Sequence, residues 1–258
     1  MILVVIPPVQ FLDRGDGVRL AYRHRRGAGP TIAYVPGYAV DMEGTKACAL
    51  DTWAERSGRA CLRFDYSGCG SSEGDFLDGT ITRWAADAAA VLDAVAPGPA
   101  VLVGSSLGGW IALVLAAQRP GQTRGLVLTA PAPDFIEWDL VDKLTPNERV
   151  SLAERGFIER FDTDGPTPTV YARALIEDGA HHLMLGRRVA YTGPVRILHG
   201  QRDTDVPWAN SLALSDALAS ADVQLTLVKD ATHRLQRASD LALLTTTLEA
   251  LLSQCAAG

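Results

Sequence analysis

VLVGSSLGGW, residues 101–110, runs from a short apolar stretch through two adjacent serines into paired glycines and a tryptophan. Gly-Ser-Ser taken alone is ordinary loop material, so its reading depends on what flanks it. Ala100 to Val103 is short, apolar and β-branched, the pattern of a strand buried on both faces. Leu107 onward, LGGWIALVLAAQ, reads as a helix. Gly104-Ser105-Ser106-Leu107-Gly108 therefore fits G-x-S-x-G at a strand-to-helix junction. A sharp turn there forces the central residue into a strained backbone conformation and projects its side chain above the sheet. It also sits at a helix N-terminus, where backbone N–H groups and the helix dipole favour developing negative charge. The spacing selects Ser106 as the candidate nucleophile, Ser105 filling the turn.

Outward from this segment, apolar runs at 31–35, 60–64, 100–103, 124–129, 194–198 and 223–228 are bounded by Gly, Pro or Asp and read as strands. Ala/Leu-rich stretches at 44–57, 80–95, 107–118, 208–220 and 238–253 alternate with them as helices. Such alternation is that of an open, mostly parallel α/β sheet flanked by helices. Runs near 9–12 and 18–23, joined by Asp16-Gly17, read as an antiparallel hairpin at its edge. Between about 131 and 190 the alternation breaks. Charged pieces from Asn147 to Arg160 and from Val170 to Glu177 read as helical, with Pro/Gly/Thr punctuation at 163–169. The expected organisation is one domain: a core of 1–130 and 191–258, with a helical cap, 131–190, inserted after the sixth strand. About 60 residues would be marginal alone but stable laid over the end of a sheet.

Composition narrows the function classes. A chain of 258 residues, 47% hydrophobic and 21% charged, is long enough for a substantial core. A net charge of -6 offers no electrostatic reason to bind nucleic acid. The cluster Arg23-His24-Arg25-Arg26 reads as a solvated hairpin or loop. The four cysteines match neither a zinc pattern nor a disulfide framework and read as reduced thiols, Cys61 in the core and Cys69 in a turn open to solvent. No stretch approaches the roughly 18 apolar residues of a membrane span. The opening MILVVIPP has no basic segment and stops at a Pro pair, so a cytoplasmic location is expected.

A serine hydroxyl needs a base, and the base an orienting acid. In this topology the partners follow in the order Ser, Asp or Glu, His, each beyond a late strand. His233 is the one histidine after Asp203. Asp203 and Asp205 compete as the acid. Asp203 lies three residues past the turn Gly200 and is favoured, whereas Asp205 is spaced to cap the next helix with Pro207 in its first turn. The N–H groups of Leu107 and of Tyr38, in the Val35-Pro36-Gly37-Tyr38 loop, are the expected oxyanion donors. The Tyr38 side chain would line the pocket or simply pack. Phe64 to Gly74 is glycine-rich but ends in no Lys-Ser/Thr, so it reads as a structural loop. His181-His182 lacks the further ligands of a metal site and reads as cap packing or pocket lining. Phe135, Ile136, Trp138, Leu140, Val141 and Leu144 could form an acyl pocket or hold the cap down.

As a set, these motifs resemble those of the α/β-hydrolase superfamily. The resemblance rests on PGY and DMEGTKA within 36–47, RFDYSGCGSSEG (63–74), GSSLGGW (104–110), the histidines at 181–182, RILHGQRDTDVPW (196–208) and HRL (233–235). Within that superfamily, the resemblance is closer to one branch, the one containing a mitochondrial acyl-glucuronide esterase also described as a protein depalmitoylase. The resemblance implies acyl-thioester or acyl-glucuronide substrates; the residues themselves support a carboxylic ester or thioester. The expected activity is that of a serine hydrolase working through Ser106, His233 and Asp203 and an acyl-enzyme, on a small-molecule ester or thioester. It calls for no metal or organic cofactor. An amidase or peptidase would use the same three residues, a haloperoxidase side activity fits the same fold, and a non-catalytic binding protein on this scaffold is the alternative of a different class. Oligomeric state is left open.

Overall fold

The computed structural model describes residues 5–161 and 168–257. The apolar start at Met1–Val4 and most of the punctuated 163–169 stretch lie outside them. An antiparallel hairpin, β1 (Gln10–Asp13) and β2 (Arg19–Arg25), is followed by β3 (Ala28–Val35), α1 (Thr45–Ser57) and β4 (Arg59–Phe64). Next come α2 (Ile81–Val95), β5 (Ala100–Ser105), α3 (Leu107–Gln118) and β6 (Thr123–Thr129). After an inserted segment the chain returns through β9 (Val195–Gly200), α6 (Ala209–Ala217), β10 (Val223–Val228) and α7 (Ala238–Ala257). The insertion supplies α4 (Pro146–Arg155), β7 (Phe157–Arg160), β8 (Thr169–Ala172) and α5 (Arg173–Gly179).

Eight strands form one sheet in the order β1-β2-β4-β3-β5-β6-β9-β10, parallel from β4 to β10. Alternation along β5 shows why its neighbours are helices on both faces. Ala100 and Leu102 pack with Ile111, Leu115 and Trp84 of α3 and α2, while Val101 and Val103 meet Leu244, Leu248 and Leu251 of α7 on the other face. α3 is apolar around its whole circumference because Leu107 through Ala116 are all buried.

The insertion departs from its helical reading. α4 begins on a capping box made by Thr145 and Glu148, but it stops at Gly156, whose φ of 80° closes the helix in the left-handed region. Phe157–Arg160 then pairs antiparallel with Thr169–Ala172. The β-branched and aromatic residues Thr169, Val170 and Tyr171 suit a strand better than the helix expected from 170. Two further expectations are corrected. The Arg23–Arg26 cluster does lie largely in the hairpin strand β2, but it is not simply solvated: Arg25 grips the buried Asp51 with two bonds of 2.9 Å and Arg23 pairs with Glu43. Cys69 is buried, as Cys61 is, because its loop closes on the Asp65 carboxylate, which accepts N–H bonds from Met42 and from Ser71 of the loop, and Cys69 packs into the core.

Candidate active site

Ser106 occupies the junction of β5 and α3 with φ 55° and ψ −121°, a region L-residues rarely adopt. Its surroundings enforce this. The Ser106 N–H donates to Thr129 O (3.0 Å), and its carbonyl accepts from Gly109 N (2.9 Å) and Ala132 N (3.1 Å). Neighbouring backbone also crowds the turn: a Cβ on Gly104 would lie 2.5 Å from Gly108 O, and one on Gly108 would lie 2.1 Å from Val35 O. No side chain fits at either position, so the hydroxyl of Ser106 projects where α3 begins.

The parallel pairing of β9 with β10 brings the two following loops together. Gln201 N donates to Val228 O and Arg202 N to Ala231 O, each at 2.9 Å. This sets His233 between Ser106 and Asp203. His233 Nε2 is 3.1 Å from Ser106 Oγ, and Nδ1 is 2.8 Å from Asp203 Oδ2. Because the carboxylate can only accept, Nδ1 carries the proton and Nε2 is left to accept from the serine hydroxyl.

The Asp203 carboxylate is fully enclosed. Its Oδ1 accepts from the backbone N–H of Asp205 (2.9 Å) and Val206 (2.8 Å). Burial works to raise its pKa, yet the hydrogen bonds from His199 and His233 outweigh burial and hold the carboxyl well below the ordinary carboxylate range. Asp205 stays exposed and accepts from the Thr204 hydroxyl. It does not cap the next helix, which starts at Ala209 with Trp208 in the cap position. One contact went unassigned in the sequence: His199, four residues before Asp203, is buried with Nε2 3.0 Å from the same Oδ2. The signal was present as the histidine before the turn Gly200 in RILHG, but nothing in its spacing distinguished it from a core residue.

A cavity of about 600 Å³ opens over Ser106 and His233. Tyr38, Phe135, Trp138 and Tyr171 line it. Tyr38 stacks on Tyr171 of β8 (5.1 Å between centroids, 8° between planes) and donates its hydroxyl hydrogen to Val170 O. Its side chain thus both lines the cavity and ties the insertion to the core. Gly37 brings the Tyr38 backbone close: a Cβ there would lie 3.5 Å from Ser106 Cβ. The N–H groups of Tyr38 and Leu107 make no hydrogen bond among the described residues.

The apolar run after β6 divides between its two readings. Phe135 and Trp138 line the cavity, Phe135 while also packed in the core, whereas Ile136 and Leu140 are buried in the core alone. Asp134, at φ 60°, anchors the insertion by accepting from Met184 N and Leu185 N. Of the two adjacent histidines, His182 packs between elements: its Nε2 lies 2.7 Å from Thr82 Oγ1, and its carbonyl accepts from Trp110 Nε1. Among the described residues, the one grouping with metal-ligand chemistry is Asp203, Asp205 and His233. Asp203 and His233 in this set are already hydrogen-bonded to each other. No helix among the described residues is long and apolar enough to cross a membrane.

A family model for the alpha/beta hydrolase family matches residues 33–244. The palmitoyl-protein thioesterase ABHD10, mitochondrial, of Mus musculus is 37% identical over 248 residues, covering 95% of this chain and 83% of that protein. Its Homo sapiens counterpart is 36% identical over 249 residues, covering 95% and 80%. Among solved structures, a putative hydrolase from Agrobacterium vitis S4 superposes with a TM-score of 0.89 at 41% identity, covering 96% of this chain and 99% of that one. Mouse alpha/beta hydrolase domain-containing protein 10 gives 0.87 at 35% identity, covering 96% and 99%. The cytoplasmic expectation is corrected by the Mus musculus and Homo sapiens thioesterases, which are named as mitochondrial proteins.

Proposed function

The chain belongs to the alpha/beta hydrolase family, and on that premise we propose that it is a serine hydrolase of carboxylic esters and thioesters that works through an acyl-enzyme. The observation that carries this reading is the chain of contacts from Ser106 Oγ through His233 to Asp203, set on a serine held at positive φ. Ser106 Oγ attacks the carbonyl carbon as its proton passes to His233 Nε2. Asp203 holds the imidazole in its Nδ1–H tautomer and stabilises the imidazolium. The N–H groups of Tyr38 and Leu107 receive the oxyanion, each contributing about 3 kcal/mol to the transition state. The tetrahedral adduct collapses, His233 protonates the departing alcohol or thiol, and water then releases the acid by the same steps.

The palmitoyl-protein thioesterase relatives favour acyl thioesters as the substrate class, and the aromatic lining of the cavity supports an apolar acyl group. In this reading residues 1–130 and 191–258 carry the chemistry, and 131–190 cover it and select the acyl group. A fluorophosphonate probe is expected to label the protein, and Ser106→Ala to abolish labelling; labelling that survives the substitution refutes the assignment. Matched p-nitrophenyl ester, thioester and anilide substrates separate the classes, and an anilide cleaved as fast as its ester would return the amidase reading.

A further inference from the structure

His199 is fully buried at the end of β9 and has a complete set of partners. Its Nε2 lies 3.0 Å from Asp203 Oδ2 and 3.1 Å from Val206 O, and its Nδ1 lies 2.7 Å from Ser211 Oγ on α6. Carboxylate and carbonyl both only accept, so Nε2 carries the proton and Nδ1 accepts from the Ser211 hydroxyl. Ser211 is itself fully buried, so this ring is held from the far side by a fixed donor. One carboxylate oxygen therefore receives two imidazole N–H groups, from His199 and His233, while the other receives two backbone N–H groups.

We infer that His199 is a positioning residue of the Ser106 site: its N–H fixes the Asp203 carboxylate against rotation and draws part of its charge away from His233. This rests on the hydrolase reading above. The consequence has a definite sign. With the His199 donor present, Oδ2 shares its charge between two imidazoles and stabilises the His233 imidazolium less than a singly used oxygen would. Without it, His233 becomes the stronger base but is held less firmly. Other charged groups at the site are Asp205, whose carboxylate lies within 4.8 Å of the Asp203 and His233 ligand atoms, and Lys46, Asp139, Arg160 and Arg234, which line the cavity. The substitutions below leave all of them in place.

The test is the pH dependence of kcat/KM on p-nitrophenyl butyrate, whose acid limb reports the base of the free enzyme. His199→Phe keeps a planar ring but removes the donor. The expected result is an acid-limb midpoint raised by about half a pH unit or more and kcat reduced about tenfold, with KM little changed. His199→Gln restores an N–H near Nε2 and should return the midpoint most of the way to the native value. If His199→Phe loses its cooperative thermal transition, Ser211→Ala carries the test, since it frees the far side of the ring; a smaller upward shift is then expected. A purely structural role would lower activity and melting temperature together and leave the midpoint where it was. An unmoved midpoint in the folded variant overturns the inference. Fluorophosphonate labelling of Ser106 run beside it distinguishes the failures: labelling with an unmoved midpoint sinks only the His199 role, and absent labelling of the native protein sinks the hydrolase reading beneath it.

Discussion

Asp203→Asn probes the proposed mechanism with a change of one atom. The native carboxylate receives four donors: two backbone N–H groups on Oδ1 and two imidazole N–H groups on Oδ2. An amide offers one oxygen and one NH₂. The backbone donors of Asp205 and Val206 cannot turn away, so the amide oxygen faces them and the NH₂ faces the imidazoles. His233 can answer only by moving its proton from Nδ1 to Nε2, which points a donor at Ser106 Oγ where an acceptor is needed. The base is lost while the fold is kept. A fall in kcat/KM of about 10,000-fold is expected, equivalent to about 5 kcal/mol of transition-state stabilisation. The assay is ester hydrolysis at pH 8 with thermal melting of the same samples, and Asp205→Asn as the matched control. Activity within tenfold of native in Asp203→Asn, or an equal loss in Asp205→Asn, refutes the assignment of the orienting acid.

Gly108→Ala drives a methyl group into the Val35 carbonyl, 2.1 Å away, and should cost about 3 kcal/mol in urea denaturation; a cost under about 1 kcal/mol would show the turn to be looser than its geometry. Tyr38→Phe removes the hydroxyl's bond to Val170 O, worth about 1 kcal/mol. Because the stacked ring remains, KM for a long acyl ester should rise severalfold with little change in kcat, and an unchanged KM would separate the Tyr38 tie from substrate binding. Burial works to raise the pKa of Glu148, but its bonds with Arg160 and the Thr145 cap hold it down at about 2, below an ordinary value of 4.5. Since the folded pKa is depressed, this stabilisation is complete above pH 4.5 and is lost as the pH falls toward about 2. Melting temperatures at pH 6 and pH 3 should therefore differ less in Glu148→Gln than in the native protein, and an equal difference would exclude Glu148 as a source of acid lability.

Much of this protein is written locally. The strand–turn–helix around Ser106 follows from an apolar run, small residues at 104 and 108, and a helix start at 107, all within a dozen residues, because backbone conformation is set by near neighbours. The same holds for the β1–β2 hairpin across Asp16-Gly17 and for the leucine stripe of α7. Chain order nominated His233 as a partner for Ser106, and spacing from the turn Gly200 favoured Asp203 over Asp205. What the local pattern left open was contact between distant segments. Ser106 and His233 are 127 residues apart, and only the parallel register of β5, β6, β9 and β10 carries one to within 3.1 Å of the other. Packing likewise put Phe135 and Trp138 along the cavity and left Ile136 and Leu140 wholly in the core, although all four belong to one apolar run. Pairing made β7 and β8 from stretches that read as helix, since a strand's stability lies in its partner. His199 shows the limit most clearly. Its sequence marks a histidine at a strand end; that its ring shares a carboxylate oxygen with His233 follows only once β9 and β10 lie side by side and α6 closes Ser211 over it.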